Sequence, residues 1–77
     1  DGYYYFKRES LERIMVMLSR WYNLNVFFQN SDLKDMEFGG RLKRYEDITY
    51  LLKKMEETQD VKFEINGNTI IIKRKTD

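Results

Sequence analysis

The sequence contains no cysteine, no histidine and no proline among its 77 residues. Without cysteine the chain has neither a thiol nucleophile nor a disulfide, and without cysteine and histidine an ordinary zinc site has no ligands. Serine has no imidazole to act as its base, so the usual hydrolase triad is excluded. We therefore expect a protein that is not an enzyme and that binds no cofactor and no metal ion.

A strong charge excess and a long apolar run are missing as well. The 14 basic and 13 acidic residues give a net charge of +1, whereas dedicated nucleic-acid binders usually carry a clustered basic excess. No apolar run approaches the roughly 18 residues that a membrane-spanning helix needs. We expect no nucleic-acid partner and no membrane span within these residues.

Apolar residues make up 42% of the chain and aromatic residues 16%, which is enough for a globular core. A chain this short forms one domain, so we expect residues 1–77 to be a single unit. It opens with Asp1-Gly2, and an aromatic run from Tyr3 to Phe6 follows at once. This opening is typical of a domain excised from a longer protein.

The apolar periodicity switches between strand and helix along the chain. Alternation predicts strands at residues 3–6, 26–28, 36–42, 61–65 and 69–73, and spacing of i, i+3, i+4, i+7 predicts helices at 11–22 and 45–58. Ser10 is a candidate N-cap, and Asn66-Gly67 predicts a type I′ turn. The predicted order is βαβ-βαββ, an α+β fold.

The two halves align when the sequence is shifted by 34 residues, which places Leu11 on Tyr45, Ile14 on Ile48 and Leu18 on Leu52. A duplication would explain the match, and so would any two amphipathic βαβ units.

The position of the last predicted strand in its sheet also has two explanations. This strand is strongly β-prone, and it forms either an edge that accepts a partner strand or the middle of a sheet.

Four apolar residues lie off the main stripes of the helices, namely Val16, Met17, Tyr50 and Leu51. Either both helices touch two layers and bury these side chains, or Val16 and Tyr50 face a binding partner. Phe27 alternates away from its neighbours on the second strand. Val16, Phe27 and Tyr50 are therefore the candidate partner-binding residues, and two-layer packing is the favoured explanation.

Several segments in fixed order resemble a known family. They are Asp1-Gly2-Tyr3 at the start, Leu18-Ser19-Arg20-Trp21-Tyr22-Asn23, Phe38-Gly39-Gly40-Arg41-Leu42, and the apolar spacing from Ile48 to Ile72. Together they resemble the C-terminal domain of FecR-type transmembrane anti-sigma regulators, especially the Bacteroidetes form. Family members often carry serine where Gly39 stands here.

The resemblance implies a fold related to the short N-terminal domain of secretins and TonB-dependent transducers, with two helices packed between small mixed sheets. It also implies a periplasmic domain of an inner-membrane protein that crosses the membrane once. The expected partners are the N-terminal signalling domain of a TonB-dependent outer-membrane transporter and, through a cytoplasmic part outside this chain, an extracytoplasmic-function sigma factor.

Two other functions stay open. The chain resembles the signalling domain of a transporter or secretin itself, because the folds are related. A small RNA-binding βαββαβ module has a similar element order, but residues 34–40 carry two acids and a single aromatic where that module needs a basic aromatic signature.

Overall fold

The computed structural model describes residues 2–76, so Asp1 and the last residue of the charged tail, Asp77, lie outside it. The elements follow the order β1 (Tyr3–Ser10), α1 (Leu11–Tyr22), β2 (Asn25–Phe28), a 3-10 helix (Ser31–Asp35), β3 (Glu37–Lys43), α2 (Ile48–Thr58), β4 (Lys62–Asn66) and β5 (Thr69–Lys73). The predicted α+β class and element order are confirmed. Neither helix of residues 2–76 is long and apolar enough to cross a membrane.

The strands form two separate sheets. β1 pairs antiparallel with β3 in a two-stranded sheet. The other sheet has the order β2-β5-β4, with β5 parallel to β2 and antiparallel to β4. β5 is therefore the middle strand and not an edge. An RNA-recognition module uses one four-stranded sheet, so this division also contradicts that alternative.

Both sheets bury their inner faces against the helices. α1 contacts β1 of the first sheet and β2 of the second, and α2 packs on β4. The buried core draws on both helices and both sheets; its members are Leu11, Ile14, Met15, Leu18, Leu33, Phe38, Leu42, Leu51, Leu52, Met55, Val61, Phe63, Ile70 and Ile72. Two helices thus lie between two small sheets, as predicted.

Both helices begin at a side-chain cap. The Ser10 hydroxyl accepts from the Arg13 amide at 3.2 Å, and an Asp47 carboxylate oxygen accepts from the Thr49 amide at 2.8 Å. These bonds satisfy amides that have no partner within the first turn of a helix. The Asp47 cap corrects one prediction, because Tyr45 precedes it in a left-handed conformation (φ 72°) and lies outside α2.

The cap positions also correct the spacing of the repeat. Leu11, Ile14, Met15 and Leu18 correspond to Ile48, Leu51, Leu52 and Met55, a shift of 37 residues from cap Ser10 to cap Asp47. The same shift carries β2 onto β4. The 34-residue alignment is wrong because it matches a helical residue, Leu11, with Tyr45 in the preceding loop.

The hairpin between β4 and β5 turns one residue later than predicted. Asn66 pairs with Thr69, so the central residues of the turn are Gly67 and Asn68. Gly67 has a φ of 58°, and Asn68 is not among the positive-φ residues. Positive φ at the first central residue alone is the pattern of a type II′ turn, with glycine at its first position.

β1 runs to Ser10, four residues beyond the predicted end, because a bulge between Phe6 and Glu9 lets the strand continue. Gly39 lies opposite the bulge, and a Cβ there would meet the Arg8 amide nitrogen at 3.7 Å, an ordinary contact. Gly40 has open space around it but a φ of 133°. Of these two positions, only Gly40 requires glycine, and the reason is its backbone conformation.

We predict that Gly40→Ala lowers the free energy of unfolding by about 1–3 kcal/mol, because only glycine adopts that backbone conformation without strain. Gly39→Ala is the matched control and should change it by less than about 0.5 kcal/mol. Urea denaturation of both variants provides the measurement. Equal losses in the two variants would contradict the backbone explanation.

Candidate interaction surface

The three candidate contact residues are all substantially exposed. Relative exposure is 46% for Val16, 59% for Phe27 and 54% for Tyr50. Two-layer packing therefore fails for Val16 and Tyr50. It holds for Leu51, which is buried in the core, and for Met17, which is half-buried against it.

The structure does not bring these three residues together. Val16 lies on α1 and is one of the residues that line a groove between that helix and β1. Phe27 lies on β2, opposite Ile71 of the middle strand. Tyr50 lies on α2 with the Lys54 ammonium 5.1 Å from its ring centre.

A denser cluster of exposed aromatic and cationic side chains lies where β1 begins and β3 ends. We call it the aromatic–cationic end, and its members are Tyr3, Tyr4, Tyr5, Trp21, Arg41, Lys43, Arg44 and Tyr45. It includes four of the eight large hydrophobic residues that are exposed between residues 2 and 76. Such a concentration at one end of the first sheet indicates a contact surface.

On the outer face of the first sheet, strand alternation puts Tyr3 and Tyr5 on the same side, with ring centres 6.1 Å apart. The register sets Tyr3 opposite Lys43 and Tyr5 opposite Arg41. The Arg41 guanidinium lies 4.8 Å and the Lys43 ammonium 6.0 Å from the Tyr3 ring centre. Both distances fit cation–π contacts.

On the helix side, Tyr4 meets Trp21 edge-on, with ring centres 6.2 Å apart. The Arg44 guanidinium lies between two rings, 5.5 Å from the centre of Trp21 and 5.1 Å from that of Tyr45. Tyr45 itself is 78% exposed. A stacked guanidinium keeps its N–H groups free at the edge of its plane, where carboxylates bind.

The loop that carries Arg44 and Tyr45 is held from both sides. The Arg44 amide donates to the Gly2 carbonyl at 2.6 Å, and the Tyr22 hydroxyl donates to the Glu46 carbonyl. Partial burial raises the pKa of Tyr22, and the nearby charge of Glu46 raises it further. The neutral hydroxyl is the form that donates to this carbonyl.

Within residues 2–76, the cations of the aromatic–cationic end form no salt bridge. Arg8, Arg13, Lys34, Lys73 and Arg74 each pair with a carboxylate elsewhere on the molecule. No carboxylate of residues 2–76 lies within salt-bridge distance of Arg41, Lys43 or Arg44. The eight side chains that make up the aromatic–cationic end carry three positive charges and no negative charge.

A groove of about 530 Å³ runs between β3 and α2. Its floor is apolar and includes Leu42, Leu51 and Met55, and Arg41 and Lys54 stand at its rim. At the other end the Gln59 amide donates to the Glu37 carbonyl and closes the groove. Arg41 thus borders both this groove and the aromatic–cationic end.

The sequence itself indicates the aromatic–cationic end, but none of the three candidate residues belongs to it. Three consecutive tyrosines on a strand cannot all face one core, since alternate side chains point to opposite faces. Arg41 and Lys43 also alternate, but their position opposite Tyr5 and Tyr3 depends on a long-range strand pairing. Local periodicity does not give that pairing.

Acidic side chains do not assemble a metal site in the part of the chain that the structure describes. Asp32 pairs with Arg74 and Glu37 with Arg8, so these carboxylates face cations on different elements. The chemistry available at the surface is that of stacking, charge pairing and backbone hydrogen bonding.

The profile of the family described as FecR, C-terminal, matches residues 3–72. Two crystal structures of candidate anti-sigma factors from Parabacteroides distasonis ATCC 8503 are similar in fold. One, at 1.65 Å resolution, has a TM-score of 0.78 at 17% identity over 92% of this chain and 33% of its own. The other, at 2.50 Å, has a TM-score of 0.80 at 16% identity over 95% of this chain and 34% of its own.

This chain therefore spans about a third of the length of both crystal structures. None of the curated proteins compared with it matches its sequence at a significant level.

We predict that Tyr22→Phe lowers the free energy of unfolding by about 1 kcal/mol at neutral pH, because the Glu46 carbonyl loses its donor. The raised pKa of Tyr22 means that its contribution is full below pH 10.0, the ordinary value, and declines as pH rises through the folded pKa. The difference between wild type and variant should therefore be constant from about pH 6 to 9 and narrow above about pH 10.

Tyr50→Phe is the matched control, since the exposed Tyr50 hydroxyl makes no hydrogen bond within residues 2–76. It should leave stability unchanged at every pH. Chemical denaturation followed by circular dichroism gives both comparisons. A difference between wild type and Tyr22→Phe that grows at alkaline pH would contradict the assigned bond.

Proposed function

The chain belongs to the FecR C-terminal family, and from that membership we propose that it is the periplasmic protein-interaction domain of an inner-membrane anti-sigma regulator. It receives a signal by docking to the N-terminal signalling domain of a TonB-dependent outer-membrane transporter. The regulator passes that signal through a membrane span and a cytoplasmic part, both outside this chain, to an extracytoplasmic-function sigma factor.

The aromatic–cationic end is the observation that carries the docking role. Tyrosine, tryptophan and arginine are the residue types that contribute most at protein interfaces. Here exposed tyrosines and arginines stand on a paired sheet and a hydrogen-bonded loop, next to the half-buried Trp21 of α1. Little conformational freedom is lost when such a surface binds, which favours recognition by a small domain.

Family membership favours the regulator over the transporter signalling domain as the parent protein. The crystal structures with the same fold are about three times as long as this chain. Control of a sigma factor is accordingly assigned to the whole regulator, and docking to this domain.

Isothermal titration of the chain with the signalling domain of the transporter encoded beside it tests the proposal. We expect saturable binding in the micromolar range, as is common for transient signalling contacts. The same titration is repeated with the complete periplasmic part of the regulator, because neighbouring segments can add contact area. Absence of binding to both at about 1 mM, an energy of only about −4 kcal/mol, would contradict direct recognition.

A cellular test addresses the regulatory half of the proposal. Removing this domain from the full-length regulator should make sigma-dependent transcription unresponsive to the substrate of the transporter, while the regulator remains in the membrane. The control is the full-length protein carrying Lys62→Gln, a substitution of an exposed residue outside the groove. A response that survives removal of the domain would exclude it as the receiver of the signal.

A further inference from the structure

The free edge of β3 has the properties of a site for an additional strand. β3 pairs with β1 on one side and has no strand on the other within residues 2–76. The Arg44 amide donates toward β1, to the Gly2 carbonyl. Backbone groups alternate in direction along an antiparallel ladder. The N–H and C=O groups of Arg41 and the N–H group of Lys43 therefore point to the free edge.

The two sides of that edge differ in chemistry. The apolar groove with Leu42, Leu51 and Met55 lies on the helix side. Arg41, Lys43 and the exposed rings of Tyr3 and Tyr5 lie on the outer side. A strand added beside β3 would place alternate side chains in the groove and over the cations.

The charges favour carboxylates at the outer positions. No carboxylate between residues 2 and 76 pairs with Arg41 or Lys43, so both cations are available to an acidic ligand. The Arg41 guanidinium lies over the face of the Tyr3 ring. The N–H groups at the edge of the guanidinium are therefore oriented before any ligand binds. A carboxylate is the group that fits that edge.

The loop that follows β3 places a further cation near this edge. Tyr45 holds a φ of 72° although its side chain is largely in solvent, and bulky residues seldom adopt this backbone region without a reason. In this conformation its ring centre lies 5.1 Å from the Arg44 guanidinium, which is also 5.5 Å from the ring centre of Trp21. Arg44 is thus a third cation with aromatic contacts at the end of β3.

We propose that β3 accepts, along its free edge, an extended segment of a partner protein in which acidic and apolar residues alternate. The acidic side chains pair with Arg41, Lys43 and Arg44, and the apolar ones enter the groove between β3 and α2. This inference rests on the proposed function and names the chemistry of the surface that the partner presents.

The test uses a synthetic peptide of about ten residues, the length of a long strand, in which glutamate and valine alternate. Its controls are a peptide of the same composition with the glutamates in one block, and an oligouridylate of similar length. Amide hydrogen exchange of the 77-residue chain is followed by NMR. We expect the alternating peptide to slow exchange at Arg41 and Lys43, while Leu42, already bonded to β1, changes little.

Charge variants complete the design. Arg41→Glu with Lys43→Glu should weaken peptide binding about tenfold or more, because two attractive contacts become repulsive. Lys53→Glu with Lys62→Glu changes the net charge equally at exposed lysines outside the groove and should leave binding unchanged. Arg41→Gln with Lys43→Gln provides a milder pair of substitutions if the glutamate variant fails to fold.

The proposal is overturned if the alternating peptide gives no saturable protection at about 2 mM, near the weak limit of specific binding. Equal binding of the blocked peptide, or tighter binding of the oligouridylate, overturns it as well. Titration with the transporter domain reports on the proposed function separately. Binding that Arg41→Glu with Lys43→Glu does not weaken would preserve that function and reject this site.

Discussion

The fold depends on one shared apolar core, because an isolated two-stranded sheet is at most marginally stable and the pair β1–β3 must therefore pack on the helices. The two-stranded sheet contributes Phe38 and Leu42, and the three-stranded sheet contributes Phe63, Ile70 and Ile72. The helices lie between them and must therefore be apolar on more than one side. Because the chain has no cysteine and hence no disulfide, its elements depend on the side chains that they pack into this core.

That constraint also determines which surfaces are left for contact. A strand that buries one face of its side chains exposes the other, so the burial of Phe38 and Leu42 requires the intervening Arg41 to stand outside. The same reasoning places Tyr3 and Tyr5 in solvent on β1. The aromatic–cationic end is thus a consequence of the register that the core imposes, and its position is as rigid as the pairing of β1 with β3.

Much of the fold was predictable from the sequence because its signals are local. The helix stripe from Leu11 to Leu18 spans about two turns and the cap at Ser10 a single turn, and the predicted order of elements is confirmed. The exposure of Val16 and Tyr50 was not predictable from helical angle alone. It depends on how far two small sheets extend around each helix, which is a property of the assembled layers.

The errors share a physical origin in the loops. Tyr45 has the apolar character of a helical position, but Asp47 is the better cap and excludes it from α2. The position of the hairpin turn is likewise set by the pairing of the strands, because Asn66 pairs with Thr69 and leaves Gly67 and Asn68 as the central residues. Two candidate contact residues were sought on the helices and one on β2, whereas the largest aromatic cluster depends on pairing between residues about 40 apart in sequence.

The cations beside the free edge of β3 have two effects that reinforce each other. An unpaired strand edge invites association with an identical copy, and lysine on such an edge opposes this. Two copies paired through β3 would bring Arg41 and Lys43 close to the same residues of the other molecule, and repulsion would disfavour that dimer. An acidic strand would meet attraction at the same positions. The preference for one partner over another is the difference between two binding energies. Arg41 and Lys43 increase this difference twice, because they weaken pairing with a second copy and strengthen pairing with an acidic strand.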